Sequence, residues 1–185
     1  LYPELRSYEY FLGPLSRMSG PPPYPPLDNS TNFADLTIHY RVWGHSDTPI
    51  VLLHGLASTS HIWNLVSPIL SPDYTLFALD QRGHGNSGKP DHGYEFSYVV
   101  SDLKSFIDFL ALDKPLLIGH SWGAHVALEF AAVHKQYIRG VCLVDGGLLE
   151  LSAIPGLTLE RAKEELAPPD FTGLTLKQMS GRICQ

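Results

Sequence analysis

The chain has 185 residues, of which 44% are hydrophobic, 11% aromatic and 17% charged, enough for one good core and so for one domain. Its net charge of −6, with no basic cluster, argues against nucleic acid or an anionic membrane as the main partner. Cys142 and Cys184 make no disulfide framework, no apolar run reaches the length of a membrane span, and no basic-then-apolar signal segment opens the chain; a reducing, cytoplasmic setting is therefore expected.

Residues 1–33 read as a flexible lead-in. Residues 1–17 show no clear period, and residues 19–32 form a Pro/Gly/Ser/Asn linker containing Pro21-Pro22-Pro23-Tyr24-Pro25-Pro26, which favours polyproline II. Peptide recognition is open to that run, but a plain lead-in is the simpler reading. Leu1 stands where a Met would start a chain, and Met18 lies just ahead of the linker. We therefore expect residues 1–17 to be upstream sequence rather than native.

Strand and helix patterns alternate over residues 34–147. Residues 36–42 (LTIHYRV) alternate with period two, as a half-exposed strand does. Residues 49–53 (PIVLL) are a continuous apolar run, the mark of a central strand buried on both faces. A helical pattern follows over residues 58–70 through Ile62, Val66 and Ile69, then a buried strand over 74–79. Ser97 stands where it would cap a helix running to Leu110, with Val99, Leu103, Phe106, Ile107 and Leu110 at helical spacing. Residues 114–119 form the next strand, and its following helix carries Val126, Ala127, Phe130 and Ala131 on one face. Residues 141–144 make a further buried strand, with Cys142 as a core residue. This βαβα order predicts a mostly parallel sheet with helices on both faces, and such sheets place ligands at the carboxyl ends of their strands.

Three motifs fall at those ends. Gly119-His120-Ser121-Trp122-Gly123 sets one serine between two glycines at a strand-to-helix junction. On so tight a turn the hydroxyl points out of the sheet, and the glycines relieve crowding. An exposed hydroxyl beside backbone N–H donors is what acyl transfer requires. The other two motifs are His54-Gly55-Leu56 and Asp80-Gln81-Arg82-Gly83-His84-Gly85-Asn86-Ser87.

In order and local sequence, these motifs resemble the α/β-hydrolase family over residues 36–147. The resemblance implies an α/β fold of that type, with the core over residues 34–147 and the start of a helical cap over 148–185. It implies acyl transfer on a small ester-like substrate, with no cofactor and no metal. Ser121 would be the nucleophile, a histidine its base, and a carboxylate the group that orients the base. Backbone N–H groups of Leu56 and Trp122 would form the oxyanion hole, with His54, Gly55, Gly119, His120 and Gly123 supporting the motifs. Epoxide hydrolases and haloalkane dehalogenases have a similar elbow, the tryptophan included, but carry Asp where Ser121 stands. A serine cannot form the alkyl-ester intermediate those reactions need. Carboxylester hydrolysis is the expectation, ahead of carbon–carbon hydrolysis of the meta-cleavage type and cofactor-free perhydrolase-like chemistry.

All nine histidines lie at or before His134, whereas the family's base follows its last strand. The catalytic histidine is thus expected beyond Gln185. His54 reads as shaping the oxyanion loop and His84 as ordering a glycine turn; His120 adjoins the serine but points elsewhere, and His125 lies one helical turn on. Asp145 ends the strand over 141–144, ahead of Gly146-Gly147, and is the candidate acid, though it could equally brace its loop. Asp80 reads as structural, tying down the turn over 82–88. In the cap region, residues 157–166 have a helical pattern stopped by Pro168-Pro169, and Thr175 and Gln178 have capping-box spacing. The reading is of an incomplete hydrolase, poorly stable and inactive by itself.

Rival readings are weaker. Gly83 to Gly88 matches GxGxxG, but a dinucleotide site needs a helix to begin at once, and residues 89–93 continue as a loop. His54, His61, Asp80 and His84 fit no usual metal-ligand spacing. The stronger rival is a non-catalytic α/β-hydrolase-fold protein that binds a small molecule or a partner. Trp63, Phe77 and Trp122 hint at an apolar pocket, with core packing as the plainer alternative.

Overall fold

Residues 25–33, 36–147, 158, 160, 161, 173, 175 and 178 are described in the computed structural model. The chain divides into two compact units, Leu1–Leu148 and Leu149–Gln185.

In the first unit, a six-stranded sheet takes its runs of Val, Ile and Leu as strands: β1 (Leu27–Phe33), β2 (Leu36–Trp43), β3 (Pro49–Leu53), β4 (Thr75–Leu79), β5 (Leu116–His120) and β6 (Gly140–Val144). Their order is β1-β2-β4-β3-β5-β6. β1, β2 and β4 pair antiparallel, while β4, β3, β5 and β6 are parallel. The chain passes from β3 to β4 on one side and returns to β5 on the other. The strand order therefore reverses at β3, where such sheets open a crevice at their carboxyl ends.

The pleat of the central strands divides the core in two. Val51, Leu53, Leu79 and Leu117 join Leu103, Phe106, Ile107, Val126, Ala127 and Phe130 of the helices α2 (Phe96–Phe109) and α3 (Trp122–His134). Ile50, Leu52, Leu76 and Ala78 face the other way, against Trp43 and Trp63. Phe106 is fully buried and meets Tyr40 edge-on, ring centroids 5.0 Å apart.

Four expectations need correction. The lead-in does not extend to residue 33, because Leu27–Phe33 pairs residue by residue with β2 as an edge strand. Covered by β1 and β4, β2 is mostly buried rather than half exposed. The helix over 58–70 is instead a 3₁₀ turn, Ser60–Asn64, and one turn of α-helix, α1 (Ser67–Leu70). Pro68 stands at the start of α1; it has no N–H to continue a helix, and its ring crowds the carbonyl four residues back. Cys142 is exposed, and β6 is only half buried, because β6 is the sheet edge among the described residues. A smaller shift is at α2, whose N-cap is Glu95, so that Ser97 lies in the first turn and caps nothing.

The second unit shows two helix starts. The Thr175 hydroxyl donates to Gln178 Oε1 (2.8 Å), the Thr175 N–H donates to the same oxygen (2.9 Å), and the Gln178 N–H returns a bond to Thr175 Oγ1 (3.4 Å). The capping box forms as its spacing predicts. Glu160 and Arg161 are helical, with the Arg161 N–H on Thr158 Oγ1; the rest of the expected helix over 157–166 and its proline stop lie outside the described residues. Among the described residues no helix is long and apolar enough to cross a membrane.

Candidate active site

Ser121 stands between β5 and α3 with φ 52° and ψ −116°, a backbone conformation that L-residues hold only when their surroundings impose it. Two hydrogen bonds do so. Its N–H donates to Val144 O at the end of β6 (2.9 Å), and its carbonyl accepts from Ala124 N–H in the first turn of α3 (3.0 Å). Glycines crowd the turn from every side. A Cβ at Gly123 would stand 2.6 Å from His54 O and closer still to Leu53 O, and one at Gly119 would stand 2.5 Å from Ala124 N. Gly146 packs against the serine itself, where a Cβ would lie 2.8 Å from Ser121 Cα. Gly55 is the nearest part of the β3 turn, its Cβ position 3.2 Å from both Ser121 Cβ and His120 Nδ1. The elbow and the His54-Gly55-Leu56 turn are thus brought together. Trp122 opens α3, where the first N–H groups of a helix have no acceptor within it, and Leu56 is exposed beside the turn.

His54 is fully buried and fully engaged. Gln81 N–H donates to its Nε2 (3.0 Å), so Nδ1 carries the proton and donates to Gly55 O (2.7 Å). Burial pushes its pKa down to about 4, with the bond to Gly55 O opposing the shift. With both ring nitrogens occupied and the ring held neutral, His54 shapes the loop and has no lone pair left to act as a base. His84 donates from Nδ1 to Arg82 O (3.0 Å) and stacks near Trp122 (5.8 Å), which Phe96 approaches from the start of α2 (6.3 Å). His120 Nδ1 is buried without a hydrogen-bond partner among the described residues.

Asp80 holds three elements at once. Its carboxylate accepts from Ser60 N–H (2.7 Å), from Asn86 N–H (2.9 Å) and from His39 Nδ1 (2.9 Å). Burial opposes ionisation, but these bonds together hold its pKa below the usual carboxylate range. Arg82 pairs with Asp102 of α2 and lies over the Tyr98 ring. The turn over 82–88 closes on itself, Gly83 N–H donating to Gly88 O (2.9 Å), and α2 starts only at Phe96. A pyrophosphate would therefore meet no helix N-terminus there. His61 lies against Arg41, and His54, Asp80 and His84 each have the separate partners given above; among the described residues no group of three potential ligands could hold a metal ion. Trp63 and Phe77 pack into the two halves of the core rather than into a pocket.

Asp145 follows Val144 directly and is exposed, φ 49°, with no hydrogen-bond partner for its carboxylate among the described residues. Two parts of the site carry weak sequence signals. Gly146 shows only as half of a Gly146-Gly147 pair after a strand, a sign of close backbone approach. Gln81 carried no signal beyond its place beside Asp80.

The family profile described as "alpha/beta hydrolase fold" matches residues 48–173. A haloalkane dehalogenase from Bradyrhizobium diazoefficiens is 37% identical over 107 residues, 57% of this chain and 34% of the relative. A 2-(acetamidomethylene)succinate hydrolase from Mesorhizobium japonicum is 36% identical over 119 residues, 64% of this chain and 42% of the relative. The solved structure of the epoxide hydrolase CorEH superposes with a TM-score of 0.66 at 30% identity, over 75% of this chain and 48% of that one. The chain thus spans well under half the length of these curated relatives.

Proposed function

Because this chain belongs to the α/β-hydrolase fold family, we propose that it carries the nucleophile of a serine hydrolase acting on small carboxylic esters. The observation behind this reading is Ser121, held at φ 52° on the turn between β5 and α3, the position of a nucleophile on a strand-to-helix elbow. Ser121 Oγ attacks the ester carbonyl as its proton passes to a histidine base. The tetrahedral oxyanion takes hydrogen bonds from Leu56 and Trp122 N–H, each worth about 3 kcal/mol in the transition state. Collapse expels the alcohol, which takes the proton, and water then releases the acid from the acyl-enzyme. Asp145 is the acid this reading carries, since its neighbours Val144 and Gly146 both touch the Ser121 backbone. His54, engaged at both ring nitrogens, is not the base of this reading.

A fluorophosphonate probe on the natural full-length protein tests the proposal. Wild type labels at Ser121, and Ser121→Ala abolishes labelling and lowers ester hydrolysis by about 10⁴-fold or more. A folded wild type that never labels leaves the non-catalytic binding protein as the better reading.

A further inference from the structure

The His54 ring clamps one particular peptide. Its Nδ1–H donates to Gly55 O, and in a trans peptide the C=O and the following N–H point in opposite directions. Fixing Gly55 O therefore aims the Leu56 N–H the other way. Gln81 holds both ends of His54: its backbone N–H donates to Nε2 (3.0 Å) and its side-chain Nε2 to His54 O (2.7 Å). That second carbonyl lies against Gly123 of the elbow, 2.6 Å from where a Cβ would stand. Gln81 is buried, and its Oε1 has no hydrogen-bond partner among the described residues. The bonded half of the carboxamide is thus its nitrogen, and the carbonyl that it satisfies is the one packed against the elbow glycine.

We propose that Gln81 is a positioning residue, whose carboxamide fixes the His54 carbonyl and thereby orients the Leu56 N–H toward the oxyanion. The inference rests on the serine-hydrolase reading above. Neither Gln81 atom reaches the reacting centre in this account; it acts through the His54-Gly55-Leu56 turn, and a small error in donor direction is costly in a preorganised site.

The test uses Gln81→Met, which keeps the backbone bond and the shape and removes only the carboxamide. Two rates are measured on the natural full-length protein: fluorophosphonate labelling, and p-nitrophenyl acetate hydrolysis per labelled site. Labelling and kcat are expected to fall about tenfold with KM within twofold. Counting by labelled site separates positioning from a structural role, which lowers the number of folded sites but leaves the rate of each unchanged. Should Gln81→Met not fold, Gln81→Asn serves, because its amide is one methylene too short to reach the His54 carbonyl, and the same loss is expected. A labelling wild type with an unchanged rate per site in the variant overturns the inference alone. A wild type that never labels overturns it together with the serine-hydrolase reading.

Discussion

Ser121 can keep its left-handed backbone because the residues around it leave it no other room. The conformation costs roughly 1–3 kcal/mol, offset by the bonds to Val144 and Ala124 and by close packing against Gly123 and Gly146. Gly123→Ala sets a methyl against two rigid backbone carbonyls, and is expected to cost about 3 kcal/mol in chemical denaturation and to eliminate labelling of the fold that remains. An unchanged denaturation midpoint would contradict this packing. Much of the site at this scale was legible. A serine flanked by glycines, and a His-Gly pair after an apolar run, are local patterns whose geometry follows from short-range sterics. Gln81 was not legible, because its significance depends on which carbonyl lies beside it, 27 residues away in sequence.

At the scale of elements, the parallel strands and the two long helices follow from apolar runs and helical spacing. Burial decides such patterns whatever the neighbours. The failures lie where neighbours decide. Leu27–Phe33 is polar and reads as linker, yet it is a strand because β2 offers it an unpaired edge. Residues 58–70 have helical spacing, but Pro68 limits them to two single turns. Asp80 is the tie among elements, joining β2 through His39, the 3₁₀ turn through Ser60 and the following loop through Asn86. Asp80→Ala takes this acceptor from the buried Ser60 and His39 and is expected to cost about 3 kcal/mol. Hydrogen exchange would register the loss at the Ser60 and Asn86 amides, and continued protection there would rule out Asp80 as their anchor.

For the whole molecule, the buried neutral His54 makes stability depend on pH. Its pKa is about 4 in the folded protein against an ordinary 6.5, so between those values the unfolded chain binds a proton that the folded one refuses. Stability is therefore fully present above pH 6.5 and falls as pH drops toward 4, by about 3 kcal/mol. Asp80, whose pKa is lowered from 3.8, extends the loss below that value. Urea midpoints from pH 7 to 4 measure the slope, and His54→Asn is expected to flatten its upper part. A slope unaltered in that variant would assign the titration elsewhere.

The sequence by itself determined the layered α/β architecture, the strand-to-helix elbow and the glycines that permit it. These depend on periodicity and on steric limits within a few residues of chain. Only the tertiary structure decided that β1 exists, that Cys142 faces solvent, that Gln81 is hydrogen-bonded to His54 behind the elbow, and that Asp80 ties together Ser60, Asn86 and His39. Edge pairing, exposure and the satisfaction of buried polar groups are set by which distant segments meet, and no local pattern encodes that.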